Sequence, residues 1–185
     1  MLKLLLKCAK FFVYWQTRKK VIENPHIQIA KSAILYSYEH ICCKSGLIKI
    51  GENAWVNRMC GIFANKGTVK IGNNVLIGPG TIIHTGHHNF EQTDIPIKVQ
   101  GGTEKPIIIE NDVWIGANCT IVGGTRIGAH SVIGAQSFVK GDIPPYSVAY
   151  GVPCRVKRNR LKPKRSDVEV KPQDRFVDCS IPKMI

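Results

Sequence analysis

The sequence has no Cys-x-x-Cys pair, and its seven cysteines are an odd number, so a closed disulfide framework is not indicated. Isolated thiols behave as small buried hydrophobes. Cys119 falls inside a repeating pattern, and the expectation is a reducing, cytoplasmic compartment. No apolar run approaches the length of a transmembrane helix. The apolar start is interrupted by Lys7 and Lys10 with no small-residue cleavage site after it, which argues against a signal peptide. The stretch before Cys8 is likewise too short and too basic for a lipoprotein signal. Acidic residues are scarce, 13 against 26 lysines and arginines for a formal charge of +13, a balance that favours anionic partners. The excess sits at the flanks, at Lys3, Lys7, Lys10, Arg18, Lys19 and Lys20, and again from Arg155 to Arg165. No alternation of aromatic and basic residues marks a base-stacking surface, so nucleic acid is not an expected partner.

What the chain does have is a beat of six. Aliphatics recur at Ile29, Leu35 and Ile41, at Ile50, Val56 and Ile62, at Ile71, Ile77 and Ile83, and at Ile109, Ile115, Ile121, Ile127, Ile133 and Val139. Helices repeat every 3.6 residues and strands every two, so neither explains the spacing. A chain coiling with three short flat faces per turn does, because it points one equivalent residue inward per face. The first three triplets start 21 residues apart, at 29, 50 and 71, and the last two start 18 apart, at 109 and 127. Three hexads per coil with an optional three-residue insertion fits both. Gly51, Gly72, Gly78, Gly116, Gly128 and Gly134 follow inward aliphatics, as tight corners demand. Asn53, Asn73, Asn74, Asn111, Asp112 and Asn118 add residues that tolerate corner conformations. Stacked coils then share one continuous aliphatic column.

The beat breaks once, between Ile83 and about Pro106. Segment 84–106 therefore reads as a loop projecting from the coils, where function concentrates. The expected organisation is an N-terminal amphipathic helix or cap over 1–24, with residues 2–16 suited to helix, then a repeat domain over 25–156 and a basic tail over 157–185. The helix suits either a cap on the open first coil or contact with the inner face of the membrane.

From Asn65 to Arg158 the sequence resembles the hexapeptide-repeat O-acyltransferases, near the galactoside and maltose O-acetyltransferases and the sugar acyltransferases of surface-polysaccharide pathways. The resemblance is carried by Thr68–Ile77, Asn111-Asp112-Val113-Trp114-Ile115-Gly116, Ser131-Val132-Ile133-Gly134-Ala135, Asp142-Ile143-Pro144-Pro145 and Gly151-Val152-Pro153-Cys154-Arg155-Val156. It implies an all-β, left-handed parallel β-helix, a homotrimer with sites between subunits, and acetyl-CoA as acyl donor. It also implies direct transfer to an acceptor hydroxyl, with a histidine as general base. Such a base suits neutral pH because imidazole titrates near 6.5.

Carried onto this chain, the catalytic histidine falls on His88, with its neighbour His87 as rival. Asn65, in Phe63-Ala64-Asn65, matches a family asparagine that contacts the acceptor, and it reads equally as a corner residue. Trp114 matches a tryptophan near the thioester arm, or serves a contact between subunits. Gly116, Ala117 and Ala135 sit where the pantetheine arm lies along the coils, and Arg155 and Arg158 are candidates for the CoA phosphates. Lys140 is a further cofactor-binding candidate, one residue before Gly141, where the family often carries a lysine. His84, His87 and His88 invite a metal reading, but they crowd one loop with no accompanying carboxylate cluster, and no metal is expected. The expected activity is acetylation of a saccharide or glycan hydroxyl. The alternatives are a non-sugar acceptor, such as serine or an antibiotic, and a non-catalytic β-helical scaffold.

Overall fold

The computed structural model describes residues 15–38 and 40–162, and its core is a three-faced prism of parallel strands. One face stacks six strands, Ile27–Ile29, Leu47–Ile50, Thr68–Ile71, Ile107–Ile109, Arg126–Ile127 and Asp142–Ile143. The second runs from Ile34–Leu35 through Trp55–Val56, Leu76–Ile77, Trp114–Ile115 and Val132–Ile133 to Ser147–Tyr150. The third holds Ile41–Cys43, Gly61–Ala64, Ile82–His84, Thr120–Val122 and Phe138–Val139. The fold is a left-handed parallel β-helix.

The register places every residue of the sixfold beat in one of three ladders. Ile29, Ile50, Ile71, Ile109 and Ile127 are direct partners along the first face. Leu35, Val56, Ile77, Ile115 and Ile133 line up on the second, and Ile41, Ile62, Ile83, Ile121 and Val139 on the third. All are buried except Ile29, which packs half-buried at the open first coil. Burying each such side chain contributes about 1.5–3 kcal/mol. The column runs further than the beat suggested, because Ile143 and Ala149 pair with Ile127 and Ile133, only four positions separating Val139 from Ile143.

A second inward position lies two residues before each aliphatic, filled mostly by apolar residues such as Ile48, Val69, Val75, Ile107 and Val113 and in places by small polar ones. Thr81, Thr125, Ser131 and Ser137 are buried, and each donates its hydroxyl to a backbone carbonyl, as from Thr81 Oγ1 to Gly116 O at 3.0 Å. Paired in this way, a buried hydroxyl is tolerated.

Corners divide their work differently from the simple expectation. Left-handed φ falls on Asn53, Asn74, Asp112, His130 and Tyr146 at one corner and on Met59, Gly80, Asn118 and Gln136 at the next. Asn73 and Asn111 act through their side chains instead. Asn73 Oδ1 accepts from Glu52 N–H at 2.9 Å, and Asn111 Oδ1 accepts from Asn73 N–H at 2.8 Å. The glycines after the inward aliphatics serve close approach, since a Cβ on Gly116 would stand 2.5 Å from the Ala135 nitrogen of the next coil.

Both ends of the described chain add to the prism. A helix spans 15–22 and lays Val21 onto the core before Pro25 excludes further helix. Residues 1–14, and most of the stretch expected to be helical, lie outside the described residues, as does the tail from 163. A strand runs across position 156, after which the basic tail was expected to begin. Strand Arg155–Asn159 pairs antiparallel with Ser147–Tyr150 and covers the last coil of the second face. Its lysine and arginines read as tail because a solvent-facing edge strand needs no aliphatic pattern.

Candidate functional site

The loop foreseen over 84–106 is a β-hairpin. His84 still belongs to the third face, opposite Val122 and Phe63. The chain departs after Thr85, and Gly86–His88 pairs antiparallel with Gly102–Glu104, matching His87 with Thr103 and His88 with Gly102. Asn89 N–H donates to Gly101 O at 3.1 Å, and Lys105 N–H closes the base on Thr85 O at 3.1 Å. His87 and His88 are exposed and His84 is half-buried, its ring 6.0 Å from that of Phe63.

One carboxylate fastens this hairpin to the coils. Glu104 Oε2 accepts the Gly67 N–H at 3.0 Å and the hydroxyl of fully buried Thr85. Thr85 Oγ1 also reaches Phe63 O at 3.3 Å. Sequence reading did not single out Glu104. Nothing in the local pattern distinguishes it from a solvated loop acid, and only the antiparallel pairing brings it back over Gly67. Asn65 is half-buried one coil below Gly86. Its carbonyl accepts the N–H groups of Lys44, Ser45 and Gly46 at 2.8–3.2 Å.

The other candidates gather elsewhere. Trp114 is exposed on the second face, and Gly116, Ala117 and Ala135 continue to the corner joining it to the third. There the backbone is tightly stacked, with no room for a Cβ at Gly78 beneath Ala117 or at Gly116 beneath Ala135. Arg155 and Arg158 lie at the end of this column, opposite Tyr150 and Val148, where Lys157 Nζ sits 5.3 Å from the Tyr150 ring. Lys140 stands apart from them. It follows Val139, the partner of Ile121, on the edge where the hairpin departs.

Within one chain, then, the histidines and the small-residue column occupy opposite edges of the third face. They are separated by a five-residue crossing from 119 to 123, or about 15 Å at about 3.3 Å per residue. The cleft of about 720 Å³ lies at neither edge. It opens between helix 15–22 and the first coils, lined by Arg18, Ile22, Ile29, Tyr38 and Lys49 among others.

Four buried thiols are poor nucleophiles. Burial pushes Cys43, Cys60, Cys119 and Cys154 above the ordinary thiol value, and a protonated thiol does not attack. Cys60 and Cys119 instead donate to Gly78 O and Gly134 O at 3.2 Å. Among the described residues no group of three or more His, Cys, Asp or Glu side chains is placed to hold a metal ion. No helix there is long and apolar enough to cross a membrane.

Known proteins share this architecture. A family profile described as bacterial transferase hexapeptide (six repeats) matches residues 106–141. The galactoside O-acetyltransferase of Escherichia coli is 36% identical over 167 residues, covering 72% of this chain and 79% of that protein. A Mycobacterium tuberculosis protein named as a probable acetyltransferase is 29% identical over 169 residues, covering 80% of this chain, which spans only 56% of that relative. The crystal structure of a hexapeptide-repeat acetyltransferase from Vibrio cholerae, complexed with acetyl coenzyme A, superposes with a TM-score of 0.63 at 33% identity. It covers 74% of this chain and 72% of that one.

Proposed function

The chain belongs to the hexapeptide-repeat transferase family, and from that premise we propose that it transfers an acetyl group from acetyl-CoA to a hydroxyl of a saccharide or glycan intermediate. The observation that carries the reading is the hairpin, which holds two exposed imidazoles over the corner that contains Asn65.

In this reading His88 accepts the proton of the acceptor hydroxyl as its oxygen attacks the thioester carbonyl. The tetrahedral oxyanion is stabilised by backbone N–H groups near the loop and collapses, expelling the CoA thiolate, which takes up a proton. Asn65 positions the acceptor. Trp114, Gly116, Ala117 and Ala135 flank the pantetheine arm, with Arg155 and Arg158 at its phosphate end. Lys140, on the hairpin edge, is positioned for the acceptor side at least as well as for CoA. Transfer is direct, from the thioester to the acceptor oxygen.

The two candidate groups lie on separate edges, which supports a homotrimer in which the hairpin of one copy meets the small-residue column of the next. His88→Ala should lower CoA release by a factor of about a hundred or more, as general-base loss does. Near-normal turnover in that variant, with a large loss in His87→Ala, would transfer the role to His87. Turnover in both would remove the mechanism.

Helix 15–22 supports peripheral membrane contact as well as capping. Val21 faces the core while Trp15 and Ile22 stay exposed beside Lys19, whose Nζ lies 5.5 Å from the Trp15 ring. Trp15→Glu with Ile22→Glu should abolish co-sedimentation with vesicles containing anionic phospholipid. No sedimentation of the unaltered protein would leave the helix as a cap alone.

A further inference from the structure

We propose that the acceptor is an anionic saccharide, recognised by Lys44, Lys66 and Lys105 at the corner beneath the hairpin; this rests on the hydroxyl-acetylation reading above.

The register assembles these lysines from three successive coils. Cys43 pairs with Ala64, and Phe63 pairs with His84, so each coil leaves the third face at the same edge. Lys44 follows Cys43, Lys66 follows Asn65, and Lys105 is the residue on which the hairpin returns. Backbone hydrogen bonds hold two of the three stems. Lys44 N–H donates to Asn65 O at 3.2 Å, and Lys105 N–H donates to Thr85 O at 3.1 Å. Lys66 lies between Asn65 and Gly67, whose N–H is fixed on Glu104. With coils about 4.8 Å apart, the three stems begin within about 10 Å of one another.

All three side chains are exposed. The ion pairs among the described residues lie elsewhere, at Lys19–Glu23, Arg126–Glu110 and His130–Asp112. The carboxylate at this corner, Glu104, is engaged by Thr85 and Gly67, and the hairpin's Glu91 and Asp94 lie beyond Asn89, away from its base. Glu104 offsets one of the three charges, since its hydrogen-bond partners are neutral, and the excess of cations that remains raises the local potential, a field that an anionic ligand enters favourably. Lysine presents a compact, rotatable charge and so suits a carboxylate or a phosphate carried on a sugar. The donor's phosphates do not account for these lysines, since the proposed phosphate end at Arg155 and Arg158 lies past the last coil, opposite Tyr150 and Val148, while the lysines sit on the first three coils.

Calorimetric titration of the full chain with a methyl glucuronide, glucose 1-phosphate and a methyl glucoside tests this without relying on turnover. At least one anionic sugar should bind ten-fold or more tightly than the neutral glucoside, and the preferred one identifies the carboxylate or the phosphate as the recognised group. Lys66→Glu with Lys105→Glu should abolish that preference and leave CoA affinity unchanged. Lys66→Gln with Lys105→Gln should weaken it at least three-fold with an unaltered melting temperature. Equal binding of neutral and anionic sugars, or preference retained in both double variants, would overturn the proposal. Anion binding that depends on the lysines, together with no CoA release from any acceptor, would uphold the anion site and sink the acetylation reading instead.

Discussion

Truncating Glu104 should release the hairpin while leaving the prism intact. Glu104→Ala removes the acceptor of two hydrogen bonds, from the Gly67 N–H and the Thr85 hydroxyl. The hydroxyl has a second acceptor in Phe63 O at 3.3 Å, so the lasting orphan is the half-buried Gly67 N–H. An unsatisfied donor of this kind costs about 1–3 kcal/mol, and a hydrogen bond to a charged group contributes about 1.5–3 kcal/mol. A local loss near 2 kcal/mol follows, which raises hairpin opening about 30-fold. Amide hydrogen exchange should show this at His87, Asn89 and Thr103, whose N–H groups face the ladder, with the strands Ile82–His84 and Thr120–Val122 unchanged. Glu104→Gln keeps an acceptor oxygen and should behave nearly as the unaltered protein. CoA release should fall in the alanine variant with little change in the KM for acetyl-CoA, since the column flanking the donor lies on another edge. Unchanged exchange at the hairpin amides in Glu104→Ala would refute the clamp, whatever happens to activity.

A mixed assembly checks the division of the site between copies. His88→Ala and Ala135→Trp should each be inactive alone, yet co-expressed in equal amounts they should regain activity at roughly a quarter of sites if each site draws on two neighbours; no recovery in a mixed oligomer would place both groups in one chain. Acid should weaken the fold partly through Glu110, whose pKa is lowered first by the Ala129 N–H and then by Arg126. A carboxyl with a depressed folded pKa stabilises above its unfolded value, about 4.3, and loses that contribution as pH falls through the folded one. Glu110→Gln should therefore flatten the melting-temperature profile below about pH 4.3; an acid limb as steep as before would remove Glu110 from the account.

The prism was legible because its signal is local and repeated. Every inward aliphatic announces one face, and fifteen positions agreeing on a period of six leave a single topology. Errors arose where the period changes for a local reason. Only four positions separate Val139 from Ile143, a break in the beat that hid Ile143 and Ala149, and the antiparallel strand Arg155–Asn159 looked like tail because nothing buries its outer side. The site was legible only in pieces, since histidines, asparagine and tryptophan carry their chemistry in their names, whereas their mutual placement depends on the register between coils. Glu104 and Lys66 show the limit. One is silent until the hairpin pairs, and the other gains meaning only beside Asn65 and beneath Lys105. A solenoid makes this division unavoidable. Each coil touches only its neighbours, and the hairpin and the small-residue column sit at opposite edges of the third face. In the reaction proposed here a second prism brings its own edge to the first, which is why the mixed assembly is the decisive test.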